Sequence, residues 1–174
     1  MAIEFEVLKK NAIGTTDTFA TVDDIARRLR AHLDEERIQQ LLRERHIVGA
    51  SSAEIQDIIL EGSRQLGFHS EKKSLFSSYG VAALRPDYFR PVIDTGILLE
   101  VERGKTIANN MDLLDLWKCH ICPYADYLFL VVPKLRPDNN GKTLPQFSHV
   151  LKRLAPFFEE RNYVNIEAVY LFGY

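Results

Sequence analysis

The run "DYLFLVVP", Asp126 to Pro133, constrains the fold more than any other part of the sequence. Its apolar residues are almost unbroken, without the alternation of a strand that turns one face to water. Such a strand must be covered on both faces, and the proline ends it by lacking an N–H for the ladder. The neighbouring segments supply the cover. "SSAEIQDIILEGSRQLGF" predicts a helix from Ser51 or Ser52, with Ile55, Ile58, Ile59 and Leu66 on its inner stripe and Gly67 at its end. "NNMDLLDLWKCHI" predicts a helix capped by Asn109 or Asn110, with Met111, Leu114, Trp117 and Ile121 forming an apolar side. "QFSHVLKRLAPFFEERNY" reads as a helix kinked at Pro156, followed by a strand in "VNIEAVYLFGY". Upstream, "FHSEKKSLF" and "YGVAALRPDYF" are strand-like, and "RPDNNGKTLP" is a turn-rich loop. "TVDDIARRLRAHLDEERIQQLLRERHIVGAS" predicts two helices with a break near Asp34, the first with Thr21 as N-cap. This order is that of an α/β domain with a mixed sheet and helices on both faces. A length of 174 residues suits one domain, with 1–50 as an N-terminal helical extension and 51–174 as the α/β core.

Composition narrows the function classes. With 46% hydrophobic and 26% charged residues, the chain is no disordered tail. A formal net charge of −2 argues against a broadly basic coat for DNA, while leaving room for a local basic groove. No apolar run approaches a membrane span, and the opening "MAIEFEVLKK" is not a signal peptide. Two cysteines, Cys119 and Cys122, give no disulfide framework, so a reducing cytoplasm is the expected location. Their single C-x-x-C has no second pair, and His149 does not complete a zinc set, so both are expected as free thiols. Trp117 fits a core stripe better than a base-stacking platform.

Chemistry concentrates in "RPDYFRPVIDTGILLEVERGK", Arg85 to Lys105. Side chains alternate along a strand, so Leu98, Glu100 and Glu102 share one face while Ile97, Leu99 and Val101 share the other. Two carboxylates about 7 Å apart on a covered strand require something positive nearby: a metal ion, a lysine or arginine, or water. A hairpin through "RPVIDTG" would bring Asp87 to the same end, and three converging carboxylates make a hard oxygen site suited to Mg²⁺. Asp94 competes for that role, although an Asx turn with Gly96 also explains it.

Pro86-Asp87 followed by Glu100-Val101-Glu102 resembles the signature of the PD-(D/E)xK nuclease superfamily, the restriction endonuclease-like fold. The resemblance covers about residues 51–133. It implies a restriction endonuclease-like mixed sheet and a Mg²⁺-dependent DNA endonuclease, with Mn²⁺ as substitute and Asp87 and Glu100 as metal ligands. It further implies a homodimer or larger nuclease complex. Glu102 stands where the family usually has lysine, so it is either a third ligand or a base. The missing cation then falls to Lys118 on the following helix, to Lys105, or to Arg103. Glu54 resembles the glutamate that supports the metal from the first core helix, but "SSAE" is equally a capping box, and Gln56 is its neighbour. Retention of the fold without catalysis, as a module binding nucleic acid or protein, is the alternative.

Overall fold

The computed structural model describes residues 2–13, 16–47, 52–70, 75–79, 84–104, 106–137 and 143–174. The strand anticipated in "DYLFLVVP" is Tyr127–Val132, every residue of it buried. In chain order the elements are β1 (Glu4–Lys9), α1 (Asp17–Leu33), α2 (Glu36–Arg45), α3 (Ser52–Gln65) and β2 (His69–Ser70). They continue with β3 (Tyr88–Val92), β4 (Thr95–Val101), α4 (Met111–Ile121), β5 (Tyr127–Val132), β6 (Leu135–Pro137), β7 (Thr143–Pro145), α5 (Gln146–Leu154) and β8 (Ala168–Gly173). Six strands form a mixed sheet in the order β1-β8-β5-β4-β3-β2, and β6 and β7 make a separate ribbon. β5 runs parallel to both β4 and β8, whereas β1, β3 and β2 join antiparallel.

The alternation of β4 and β5 sorts side chains between two cores. Ile97, Leu99, Phe129 and Val131 face α1, α2 and α3, packing with Ile25, Leu29, Ile38, Ile55 and Ile59. Leu98, Leu128 and Leu130 face α4 and α5, packing with Leu116, Cys119, Val150 and Leu154. Helices therefore cover both faces of the parallel centre, as its unbroken apolar sequence requires. Among the described residues, no helix is long and apolar enough to cross a membrane.

Four expectations need correction. The first fifty residues are not an appended helical extension: β1 pairs along its whole length with β8, and α1 packs into the common core. The Ile3 N–H also donates to Asp34 Oδ1 at 2.6 Å, tying the start of β1 to the end of α1. α1 begins a turn before Thr21: Thr16 is its N-cap, with Oγ1 accepting from the Phe19 N–H at 3.1 Å. Among the described residues upstream of the acidic hairpin, regular strand is confined to His69–Ser70 and to Tyr88 onward, with Leu84 to Pro86 irregular, while 71–74 and 80–83 lie outside the described residues. Finally, α5 does not kink at Pro156 but ends before it, passing into a 3-10 turn over Ala155–Phe158. The break near Asp34 and the role of Gly67 are as expected. Gly67 has φ +83° and closes α3 with paired bonds, Gly67 N–H to Arg64 O at 2.9 Å and Phe68 N–H to Ser63 O at 2.9 Å. Ser51, Lys72, Lys73 and Lys105 lie outside the described residues.

The β3–β4 hairpin turns tightly through Ile93 and Asp94, and Ile93 takes φ +49° while 70% exposed. A β-branched residue is disfavoured there, because Cβ crowds the backbone in the left-handed region. Ile93→Asn is expected to raise stability by about 1 kcal/mol. A higher urea midpoint at unchanged slope would show it.

Candidate active site

The hairpin that carries Ile93 at its turn brings its other end together around two carboxylates. Tyr88 pairs with Leu99, so Asp87 meets Glu100 one step beyond the regular ladder. Each acid is held by the opposite strand's backbone. The Asp87 N–H donates to Glu100 Oε2 at 3.2 Å, and the Val101 N–H donates to Asp87 Oδ2 at 2.9 Å. Glu102 follows on the same side just past β4, its N–H donating to Val131 O at 2.8 Å. Its carboxylate accepts from Thr106 Oγ1 at 3.4 Å. The acids of "GILLEVE" thus face α4, as strand alternation predicts.

α4 returns a cation to them. Lys118 Nζ donates to Glu100 Oε1 and lies 2.8 Å from Asp115 Oδ1 on its own helix. Asp115 is fully buried, and neither of its oxygens takes a well-directed hydrogen bond. A cleft of about 350 Å³ opens over Asp87, Glu100, Glu102, Lys118 and Gln56, with Arg85 and Arg103 on its rim.

The electrostatics are those of a site short of positive charge. Burial pushes the Glu100 carboxyl well above its usual range, Asp115 and Asp87 add repulsion, and Lys118 only partly offsets them. Burial, then the charges of Asp115 and Asp87, push Glu102 up to about 8. Burial pushes Asp115 up to about 6 against the pull of Lys118. Asp87 is raised by burial as well, with the Val101 N–H and Lys118 opposing. Four carboxylates share one buried lysine.

That imbalance bears on whether a divalent cation fits. Among the described residues, no three His, Cys, Asp or Glu side chains form a ready-made metal cage. The donors are nonetheless of the kind a hard cation takes: the carboxylates of Asp87, Glu100 and Glu102 line an open cleft together with Lys118. Oxygen donors of this kind suit Mg²⁺ in their chemistry, although both Glu100 oxygens are already engaged, Oε1 by Lys118 and Oε2 by the Asp87 N–H.

The sequence candidates divide clearly. Asp87, Glu100, Glu102 and Lys118 meet in the cleft, and Gln56 joins them from α3. Asp94 sits at the far end of the hairpin, where Thr18 Oγ1 donates to it at 3.4 Å. Glu54 lies on the first turn of α3, 3.1 Å from Arg45 Nη1, and is not among the residues lining the cleft. Arg103 reaches the rim, but its guanidinium donates to Ile47 O.

Asp115 was not anticipated, nor was the face that α4 buries. The spacing predicted Met111, Leu114, Trp117 and Ile121 as the inner stripe, yet Leu114 and Trp117 are exposed. The helix instead buries Asp112, Asp115, Leu116, Lys118 and Cys119. Its charges are interlocked: Arg153 clasps Asp112 at 2.8 and 3.3 Å and also donates to Asn110 Oδ1 at 2.7 Å. The readable signal was D-x-x-D-x-x-K, which puts Asp112, Asp115 and Lys118 along one side of a helix. Cys119 and Cys122 are buried thiols that are not joined in a disulfide, as expected.

No protein-family model matches the chain, and no curated protein is significantly similar to it.

Proposed function

We propose that the cleft is the active site of a Mg²⁺-dependent DNA endonuclease with a restriction endonuclease-like fold, in an E-x-E variant of the PD-(D/E)xK pattern. The observation that carries this reading is the meeting of Asp87 and Glu100 at the open end of a hairpin, with Lys118 reaching the same carboxylate from α4. Asp87 and Glu100 would hold the metal, Glu102 acts beside them as the base, and Mn²⁺ can substitute. When bound, Mg²⁺ supplies a Lewis acid that lowers the pKa of a water and offsets charge on the phosphodiester. Lys118 fills the role of the lysine missing from position 102. Glu100 and Asp115 hold its ammonium above the usual lysine range against the cost of burial, so it stays protonated and acts as fixed positive charge. Glu102, half-enclosed at the strand end, takes the proton from the attacking water on a carboxylate oxygen. Arg85 and Arg103 engage the flanking phosphates from the rim. A cytoplasmic homodimer would offer one such cleft to each strand of a duplex.

The test is cleavage of supercoiled, linear duplex and single-stranded DNA with Mg²⁺ or EDTA. Cleavage should require the metal, and Asp87→Ala or Glu100→Ala should each reduce it by about a hundredfold or more. Equal cleavage by wild type and both variants removes the site.

One observation favours a noncatalytic module instead. Both Glu100 oxygens are already engaged, Oε1 by Lys118 and Oε2 by the Asp87 N–H. A protein that shows neither Mg²⁺ binding by calorimetry nor cleavage would retain the fold only to bind nucleic acid or protein.

A further inference from the structure

Lys118 serves two carboxylates that differ in what can reach them. Its Nζ donates to Glu100 Oε1 and lies 2.8 Å from Asp115 Oδ1. Glu100 lines the acidic cleft beside Asp87, Glu102 and Lys118 itself. Asp115 is not among the lining residues and is fully buried. An ion entering from solvent therefore meets Glu100 and not Asp115. Glu100 is also secured a second way, its Oε2 accepting from the Asp87 N–H at 3.2 Å. Asp115 has no such support: among the described residues, neither of its oxygens takes a well-directed hydrogen bond. The ammonium of Lys118 is placed to satisfy either acid, and in this geometry its directed bond goes to Glu100.

We propose that Asp115 is a second seat for the Lys118 ammonium, which passes wholly to it when a divalent ion takes Glu100, an inference that rests on the metal-dependent reading above. Such an exchange removes the obstacle that both Glu100 oxygens are engaged, because Oε1 is freed while Oε2 keeps its backbone tether. The path is short. Asp115 and Lys118 are three residues apart on α4 and so share one side of the helix. Lysine carries three donor hydrogens on a flexible stem. With Nζ already at hydrogen-bond distance from Asp115, the transfer is a turn of the ammonium rather than a displacement of the helix. The energetics favour it as well. A buried carboxylate without directed hydrogen bonds is costly, and here one ammonium is divided between two buried acids. After the exchange Glu100 has the divalent ion and Asp115 has the ammonium to itself. Asp115 is thus a positioning residue: it lies away from the cleft and acts by drawing Lys118 off a metal ligand.

Both readouts are independent of catalysis. Wild-type protein is crystallised with and without Mg²⁺, and Mg²⁺ alone is titrated into wild type and Asp115→Asn by calorimetry. In the Mg²⁺ crystal the ion should sit on Asp87 and Glu100, with Lys118 Nζ more than about 3.5 Å from Glu100 and bonded to Asp115. Asp115→Asn should bind Mg²⁺ about tenfold more weakly, because the displaced ammonium then finds no second carboxylate. Asparagine matches the shape of aspartate, so the variant is expected to fold, which circular dichroism checks. Mg²⁺ bound with Nζ still on Glu100 overturns the exchange and assigns any weakening in Asp115→Asn to lost charge alone. Mg²⁺-dependent cleavage would then stand as separate support for the nuclease. An ammonium released into the cleft rather than onto Asp115 overturns the second seat, as does an unchanged affinity in Asp115→Asn. Exchange seen in the crystal without any cleavage of DNA supports the proposal and removes the nuclease. Wild-type protein that binds no Mg²⁺ overturns both.

Discussion

Lys118→Met is expected to lower stability at pH 8 by about 3–5 kcal/mol, the usual cost of removing one partner from a buried ion pair. Methionine matches the length and apolar stem of lysine, so the loss isolates the ammonium. Without it, Glu100 and Asp115, both nearly or fully buried, must either stay ionised with no adjacent cation or take up protons at pH 8, and either course costs stability. The loss should shrink at pH 5, where both carboxyls take up protons at little cost. Urea denaturation at the two pH values measures it. A loss of equal size at pH 5 and pH 8 would assign the effect to packing rather than charge. Added Mg²⁺ should restore part of the stability at pH 8, since a second cation then stands in for the first.

Metal-free wild-type protein is expected to be more stable near pH 5 than near pH 8.5. Glu102 is pushed up to about 8 and Asp115 up to about 6, with Glu100 and Asp87 raised as well. A carboxyl whose pKa is higher in the folded chain keeps a proton that the unfolded chain gives up. Raising the pH between the two values therefore favours unfolding. This stabilisation is complete below the ordinary carboxylate range and is lost as pH passes about 6 and then about 8. Its size is on the order of a few kcal/mol, because each pKa unit is worth about 1.4 kcal/mol. Lys118 adds no slope here, since its raised pKa keeps it charged throughout. His46, lowered by burial, works in the opposite sense below its usual value of 6.5. Thermal unfolding in EDTA across this range checks the sign, and stability that rises steadily with pH would overturn it. Saturating Mg²⁺ should flatten or reverse the profile, because a bound cation favours the ionised carboxyls.

How much of this the sequence disclosed depended on whether local patterning and tertiary packing agreed. The unbroken apolar run of β5 could only be a doubly covered strand, and the acids of β4 could only alternate. The hairpin partner Asp87 was then within reach from loop length alone. α4 was misread because hydrophobic periodicity assumes that charges face water. Here Asp112 has Arg153, and Asp115 and Glu100 have Lys118, so partners from α5 and β4 make a charged face tolerable inside. No local pattern specifies those partners. β1 was overlooked for a similar reason: "EFEVLK" alternates as an edge strand does, but its ladder partner lies at the other end of the chain.

That last pairing governs the order in which the molecule can assemble. β8 lies between β1 and β5, with Glu4 facing Gly173 and Tyr127 facing Ala168. The acidic hairpin can form from neighbouring residues as soon as they leave the ribosome, yet β1 has no ladder until β8 exists to receive it. Contacts of such long sequence separation slow folding, because the loop must close before the ladder rewards it. The groups that hold the acids, on β3, β4 and α4, all precede β8 in the chain, whereas the sheet is joined from β5 to β1 only when β8 is inserted between them.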